Sequence, residues 1–257
     1  AHPMNNTLVK GMALLETLAH SKTSMGVTEL AVQHGIGKSN AHRLLQSLVD
    51  LGYVNRDEST AGYAISIRLW ELGSAVLSNL DLRRVAEPWM QQLLEETREN
   101  VHLSMLDGDE VVYVHKLDSP HPVRTFSRIG GRAPAYAAAT GKVILAFQSE
   151  AQLKALSRRL VKHSAATLVE PDAFLDEMAK IRRLGHAISN GEWRDGVRGL
   201  AAPIRDSHGH VVAAIGLSGP SERIRAAQFK PYLMALVKAA DEIAAALVAP
   251  PRQERLR

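Results

Sequence analysis

The stretch HGIGKSNAHRLLQSL, residues 34–48, decides how the first part of the chain folds. Its Gly-Lys-Ser resembles a phosphate-binding loop, which needs Gly-x-x-x-x-Gly-Lys-Ser/Thr directly after a strand. The first glycine of that pattern is missing, because Val32 stands five residues before Gly37. The preceding residues, VTELAVQH, have the apolar spacing of a helix rather than of a strand. The sequence therefore does not predict a nucleotide-binding loop.

The same stretch has the spacing of a helix-turn-helix. Ala31 lets two helices cross closely, and Gly35 can take the positive φ that the turn requires. Ile36, Ala41 and Leu44 then hold the second helix against the first. We predict a short first helix with Thr28 as its N-cap and a second helix that begins at Lys38 or Ser39.

The N-terminal end of the second helix carries side chains of the types that contact base edges and phosphates in recognition helices. Two β-prone pieces, residues 53–56 and 63–65, follow as a hairpin and form the wing, with Arg56 at a phosphate. A winged helix-turn-helix on double-stranded DNA is predicted. The alternative is a helical hairpin with a solvated polar edge. The predicted DNA-binding residues are Thr28, Lys38, Ser39, Asn40, His42, Arg43 and Arg56.

The composition of the 257-residue chain limits the kinds of partner that it can bind. The net charge of +4 permits a polyanionic partner, but residues 1–77 carry six Lys or Arg against six Asp or Glu. The prediction of DNA binding therefore rests on where the polar and basic side chains lie. With no cysteine there is no zinc finger, and no metal site or cofactor is expected. No apolar run is long enough for a bilayer or a signal peptide, so we expect a cytoplasmic protein without a membrane partner.

The second part of the chain alternates helices and strands. Helix is predicted from Arg68 to about Asn100, interrupted near Pro88. A final amphipathic helix, 226–248, precedes a basic tail. Between them we predict strands at 101–106, 110–117, 123–129, 200–206 and 210–219, and helices at 138–147, 151–159 and 171–184.

TELAVQHGIGKSNAHRLLQSLVDLGYVNRD and YAISIRLWELG resemble the IclR family of bacterial transcription regulators. SRIGGRAPAYAAATGKVILA and GEWRDGVRGLAAPIRD with VVAAIGLSGP resemble that family's effector domain, so the resemblance runs from Lys10 to about Val248. It implies an α+β chain: a winged helix-turn-helix over 5–67, a linker helix over 68–84, and a GAF-like effector-binding domain with a central antiparallel sheet over 85–250. It also implies a homodimer or a dimer of dimers on operator DNA.

The effector site is expected around AYAAATGKV. Backbone N–H groups at Ala139, Thr140 and Gly141 can face a carboxylate at a helix start, although Ala137 to Ala139 can equally be small because that helix packs closely on the sheet. Tyr136 either roofs the pocket or fills core. By the resemblance, the loop NGEWRDGVRG and the strand that carries Ser218 complete the pocket. This adds Glu192, Asp195, Val197, Gly199 and Ser218.

Two further features of the effector region bear on its ligand. Gly216 stands where some family members carry a second serine, so one expected contact is absent. Arg132 and Lys142 are candidate anion ligands, and for Lys142 a structural role is favoured.

The predicted function is ligand-responsive regulation of a catabolic operon by a small organic acid. VHKLDSPHPVRTFSRIGGRAP is similar to regulators of sugar-acid catabolism, and an aromatic acid remains the alternative. A protein-binding scaffold without DNA affinity is a further alternative. No catalytic residues are predicted, because the chain has no H-E-x-x-H and no G-x-S-x-G. The sequence does not distinguish a repressor from an activator.

Overall fold

The computed structural model describes residues 6–57, 60–78, 81–123 and 127–248. The chain divides into two compact units, Ala1–Leu80 and Asp81–Arg257. The predicted basic tail lies outside the described residues. None of the helices in the described ranges combines the length and the apolar character needed to cross a membrane.

The first unit packs three helices and a two-stranded hairpin around one apolar cluster. Leu14, Leu30, Leu45 and Tyr63 lie in its centre, each at most 1% exposed. The strands pair antiparallel, with Asn55 opposite Ala64. The elements are α1 (Asn6–His20), α2 (Val27–Gln33), α3 (Lys38–Asp50), β1 (Val54–Arg56), β2 (Tyr63–Ile65) and the following α4 (Arg68–Ser78).

The turn between α2 and α3 has the predicted geometry. Gly35 has a φ of 60°, and the Ile36 N–H donates to the Ala31 carbonyl at 3.0 Å. The caps differ from prediction, because Gly26 precedes α2 and Gly37 precedes α3 without a side-chain cap. The prediction of Thr28 as a cap is therefore wrong: it lies inside the first turn of α2.

Two helices follow the hairpin, α4 and α5 (Asp81–Thr97), and residues 79 and 80 lie outside the described ranges. The predicted interruption near Pro88 is wrong, because α5 continues through it. Proline removes one backbone donor. The helix persists because the side that carries Ala86, Met90 and Leu93 is buried.

The second unit is built on an antiparallel sheet with the strand order β5-β4-β3-β8-β7-β6. Helices α5 and α9 pack on its central strands, and α6 packs on β3, β7 and β8. The strands are β3 (Asn100–Asp107), β4 (Glu110–Leu117), β5 (Arg132–Pro134), β6 (Ala187–Asn190), β7 (Val197–Arg205) and β8 (Val211–Pro220). The remaining helices are α6 (Ala139–Leu145), α7 (Glu150–Ser157), α8 (Pro171–Leu184) and α9 (Ala226–Val248).

Strand pairing brings residues from distant segments of the chain onto one face of this sheet. Gly199 lies opposite Ser218 in the β7–β8 pair, and His102 lies opposite Gly216 in the β3–β8 pair. Because side chains alternate between the faces of a strand, all four positions share the face on which α6 packs. The fold class predicted from sequence, an N-terminal winged helix-turn-helix and an α+β domain with a central antiparallel sheet, is confirmed.

In the second unit one strand prediction is wrong and one strand was not predicted. The predicted strand at 123–129 has no strand structure at 127–129, and its residues 124–126 lie outside the described ranges. The strand forms instead at Arg132–Pro134, after a turn in which Gly130 has a φ of 75°. Strand β6 was not predicted, because four residues directly after a helix are too few to show alternation.

Candidate functional site

The first candidate surface is the exposed side of α3. Lys38, Ser39, His42 and Arg43 are exposed and Asn40 is half-buried, and the Arg43 guanidinium donates to Asn40 Oδ1 at 3.3 Å. The inward side of the helix is buried at Ala41, Leu44 and Leu45. The helix therefore presents cationic and amide side chains to solvent, while its apolar side is buried against the rest of the domain.

The other two predicted DNA-binding residues lie on neighbouring elements. Thr28 is exposed in the first turn of α2. Arg56 is exposed at the end of β1, and its guanidinium lies 6.0 Å from the centroid of the Tyr63 ring across the hairpin. The backbone of Tyr63 also exchanges two hydrogen bonds with Met25, which fixes the hairpin to the helical core.

The second candidate site is a cavity between the start of α6, the sheet and the loop before β7. Its empty space is about 580 Å³ when the solvent at its open mouth is included. Five of the predicted effector residues line it: Ala139, Thr140, Val197, Gly199 and Ser218. The other lining residues are Ala137, Ala138, His102, Tyr113, Ser127, Ser189, Trp193, Arg194 and Leu217.

Small residues let α6 lie directly on the sheet. A Cβ on Gly199 would be 3.2 Å from the Ala139 Cβ, and one on Gly216 would be 2.7 Å from the Thr140 methyl group and 2.8 Å from the Leu200 carbonyl. A serine at position 216 would therefore overlap both neighbours. The glycine at position 216 thus permits α6 to pack closely on the sheet.

The start of α6 brings backbone donors to the cavity. The Lys142 N–H donates to the Ala138 carbonyl at 2.8 Å, so Ala139, Thr140 and Gly141 form the first turn, whose N–H groups have no acceptor within the helix. Ala139 and Thr140 line the cavity, whereas Gly141 faces Ala135. A Cβ at Gly141 would overlap the Ala135 backbone. Its small size thus serves packing.

A histidine and a serine form a polar part of the cavity wall. His102 Nε2 and Ser218 Oγ lie 2.7 Å apart, and the His102 side chain is buried. Burial, reinforced by the charge of Lys116, lowers the pKa of His102 to about 4, so the ring is neutral at pH 7. Its Nδ1 atom and the Ser127 Oγ atom are buried without a hydrogen-bond partner.

An aromatic surface extends this wall. The ring of Tyr113 lies 5.0 Å from that of His102, centroid to centroid. Burial raises the pKa of Tyr113 to about 12, against the opposing charge of Arg194, so its hydroxyl stays protonated. Trp193 lines the cavity from the loop, with the Arg194 guanidinium 4.6 Å from its ring. The chain has few aromatic residues, but the fold brings two of them, Tyr113 and Trp193, to this cavity.

Tyr136, Glu192 and Asp195, which sequence places at the effector site, do not line this cavity. The Tyr136 hydroxyl accepts from the Val161 N–H at 3.1 Å and lies 2.8 Å from His163 Nε2. Asp195 is exposed on the loop.

Glu192 belongs to a buried ion-pair cluster behind the cavity. Lys142, 1% exposed, donates to both Glu192 oxygens at 2.8 and 2.9 Å and to the Ile188 carbonyl at 3.0 Å. It also pairs with Glu177 at 3.0 Å. Burial raises the pKa of Glu192 despite this contact with Lys142. Because Trp193 and Arg194 follow Glu192 directly, the cluster fixes one end of the cavity loop.

One cavity residue that was not predicted, His102, is marked by a pattern in the sequence. In VHLSML, residues 101–106, the polar residues His102 and Ser104 alternate with apolar ones. Both are buried, so the polar positions face the interior between β3 and α6 rather than solvent. Polar residues on the buried face of a strand indicate a lined cavity or an internal hydrogen-bond network.

Two models of one protein family match this chain. The family model described as "IclR helix-turn-helix domain" matches residues 7–58, and the one described as "Bacterial transcriptional regulator IclR C-terminal" matches residues 74–245. The second match alone covers more than half of the chain.

The chain belongs to the IclR family. It is therefore a transcriptional regulator with a DNA-binding helix-turn-helix domain and an effector-binding domain, and it is not an enzyme. It is 34% identical over 242 residues to the HTH-type transcriptional regulator KdgR of Escherichia coli K12, which covers 93% of this chain and 92% of that protein.

Solved IclR-family structures superpose on nearly the whole chain. The crystal structure of IclR from Thermotoga maritima matches with a TM-score of 0.77 and 31% identity, over 94% of this chain and 98% of that one. An IclR homolog from Microbacterium hydrocarbonoxydans, complexed with 4-hydroxybenzoate, matches with a TM-score of 0.82 and 27% identity, over 94% and 99%.

Proposed function

We propose that this IclR-family protein regulates a catabolic operon from the cytoplasm, with a small organic acid as its effector. The observation that carries the proposal is the cavity beside α6, which is lined by a buried histidine, a serine hydroxyl and residues of the first turn of α6. Such groups orient a small polar ligand inside largely apolar walls. Ligand occupancy then changes the affinity of the winged domains for operator DNA.

For DNA, we propose that α3 lies in the major groove and that the hairpin contacts the backbone. Thr28, Lys38, Ser39, Asn40, His42, Arg43 and Arg56 are the proposed contacts. The proposed division is a DNA-binding domain over 5–67, a linker helix over 68–84 and an effector domain over 85–250. A homodimer or a dimer of dimers places recognition helices on paired half-sites.

For the effector, we propose binding at the cavity residues Ala139, Thr140, Val197, Gly199 and Ser218. Tyr136, Gly141, Glu192 and Asp195 contribute from behind or beside the cavity, Glu192 through Lys142. A sugar acid is the first candidate, because the stretch VHKLDSPHPVRTFSRIGGRAP is similar to regulators of sugar-acid catabolism and the cavity wall carries several hydroxyl groups. An aromatic acid is the second candidate, since the homolog from Microbacterium hydrocarbonoxydans holds 4-hydroxybenzoate and this cavity has Tyr113 and Trp193 in its wall.

A gel-shift assay on the DNA upstream of the protein's own gene, over a range of salt concentrations, tests the proposed function. We expect a specific shift whose affinity changes with an effector identified in a thermal-shift screen of sugar acids and aromatic acids. Absence of any shift at every salt concentration would overturn the DNA-binding proposal and favour a scaffold.

Two single changes separate the two sites. Arg43→Ala should weaken operator binding and leave effector binding intact, whereas Ser218→Ala should weaken effector binding and leave operator affinity without effector intact. If each folded variant lost both activities, the assignment of two separate sites would be wrong.

A further inference from the structure

Helix α9 leaves the side that points away from the sheet uncovered. Its inner side, which includes Leu236 and Ile243, is buried where the helix packs on β7 and α5. On the opposite side Met234 is 65% exposed and Val237 is 37% exposed. Single exposed apolar residues are normal on a protein surface, but these two are neighbours on one helix face. This side of α9 is therefore a candidate interaction surface.

A groove beside α9 enlarges the apolar surface. Half-buried Phe229 and Leu233 line it together with Met234 and Val237. His186 lines the groove from the other side, directly before β6, the edge strand of the sheet. The apolar surface thus extends from α9 toward the edge of the sheet.

Charged residues stand at both ends of the exposed apolar pair. Lys230 lies four residues before Met234, and Asp241 lies four residues after Val237. Residues three or four apart lie on one side of a helix, so these four residues, here called the outer α9 face, form a line of about 16 Å. Both charged side chains are exposed, and neither forms an ion pair with another residue in the described part of the chain.

The two halves of the outer α9 face are complementary to each other. In a two-fold contact both copies use the same surface, so residue i meets residue j and j meets i. If two copies of α9 run antiparallel about an axis midway between Met234 and Val237, Met234 of one copy meets Val237 of the other. Lys230 then meets Asp241 of the other copy, because both are equally distant from the axis. A parallel contact would instead place lysine beside lysine and aspartate beside aspartate.

We propose that the outer α9 face binds the same face of a second copy of this chain, in an antiparallel contact with an apolar centre and an ion pair at each end. A second copy fits this surface because one face supplies both the cation and the anion that its own two-fold arrangement requires. The inference goes beyond the proposed function, which requires a homodimer or a dimer of dimers but assigns no surface of the effector domain to the contact.

Analytical ultracentrifugation of the full-length protein over a wide concentration range tests the apolar centre. We expect reversible association, and Met234→Glu should weaken it at least tenfold, because the new carboxylate would enter the apolar centre of the contact. An assembly that also uses another surface should lose mass but not fall apart completely. Lys162→Asp changes an exposed charge elsewhere in the effector domain and should associate as the unmodified protein does.

Exchange of the two charges tests the antiparallel register. Lys230→Asp and Asp241→Lys should each weaken association, because each places like charges opposite one another. The double variant should associate like the unmodified protein, since both ion pairs form again with reversed sign. An equimolar mixture of the two single variants should also associate more tightly than either alone. Circular dichroism melts establish that each variant is folded.

Four results would overturn the proposal. These are a protein that stays monomeric at every concentration, unchanged association in Met234→Glu, a double variant as weak as the single ones, or a mixture that associates no better than its components. Each would leave the outer α9 face to another protein or to solvent. Gel shifts keep this proposal apart from the proposed function: lack of operator binding by the unmodified protein would overturn that function alone, because the ultracentrifuge measures the contact without DNA.

Discussion

The two functional surfaces of this chain hold their polar groups in opposite ways. Helix α3 presents Lys38 and Arg43 to solvent, and its apolar side is seated in a small core. The cavity of the effector domain instead encloses His102 and Ser218, which come from strands more than a hundred residues apart in sequence. The first surface tolerates a change of side chain without loss of packing, whereas most residues that line the second are also part of the interior. Disturbing the effector domain should therefore cost folding stability, and disturbing α3 should cost DNA affinity alone.

The largest effect on stability is expected at Gly141. In Gly141→Ala the new Cβ overlaps the backbone of Ala135, which cannot yield as a flexible side chain can, so we expect a loss above about 4 kcal/mol or failure of the effector domain to fold. Circular dichroism melts measure it. The matched control is Gly11→Ala within α1, where a Cβ meets nothing within 4 Å and stability should rise by roughly 0.5–1 kcal/mol. Equal and small effects in both variants would refute the contrast.

The next effect concerns the buried cluster around Lys142. Lys142→Met leaves Glu192 without its cation, and we expect a loss of about 3–5 kcal/mol in the free energy of unfolding, measured by urea denaturation. Adding Glu192→Gln should recover part of that loss, because the unpaired charge is removed. In the exposed pair of Lys154 and Glu150, Lys154→Met should cost less than about 1 kcal/mol. A cost below about 1 kcal/mol for Lys142→Met as well would show that the buried cluster does not stabilise the fold.

A smaller effect should appear as pH dependence. The pKa of His102 is about 4 in the folded chain, below the ordinary value of 6.5, so between these values the unfolded chain takes up a proton that the folded domain does not. Stability should therefore be fully present above pH 6.5 and decline by roughly 3 kcal/mol as pH falls to 4. His102→Gln should show a shallower decline over this window in parallel denaturation series. Identical slopes would mean that His102 titrates normally.

The smallest effect on stability is expected on α3, where the change appears in DNA binding. Arg43→Ala should alter the free energy of unfolding by less than about 0.5 kcal/mol while weakening operator binding by roughly 1–3 kcal/mol. Fluorescence anisotropy at several salt concentrations separates a phosphate contact, which lowers the salt slope by about one, from a base contact, which relaxes sequence preference. Lys22→Ala, exposed before α2, is the control and should bind DNA normally. A large loss of stability in Arg43→Ala would remove the distinction between the two surfaces.

The DNA-binding unit was largely predictable because its signals are local. The positive φ of Gly35 and the buried side of α3 follow from residue type and helical period within twenty residues. Only the caps differ, since Gly26 and Gly37 begin the helices without a side chain that the sequence could reveal. The predicted DNA contacts remain predictions, and the gel shifts test them.

The cavity was predictable in part. Ala139, Thr140, Val197, Gly199 and Ser218 came from small-residue spacing and the family resemblance. His102 and Tyr113 did not, because a polar residue in a strand faces solvent or interior according to how its neighbours pair. Ser127 and Arg194 did not either, because they lie in loops that only the tertiary structure brings to the cavity. Glu192 shows the converse: it stands in the expected loop, and Lys142 draws it away from the cavity.

By itself, the sequence determined the helices and the longer strands, the helix-turn-helix and the family, because periodicity, turn glycines and motif spacing are properties of neighbouring residues. Only the tertiary structure decided which polar groups meet. Antiparallel pairing of β3 with β8 places His102 beside Ser218, and the close approach of α6 to Gly216 closes the cavity above them. The physical reason is that strand pairing and burial join residues far apart in the chain, and a buried polar atom gains a function only from the partner that this packing gives it or leaves for a ligand.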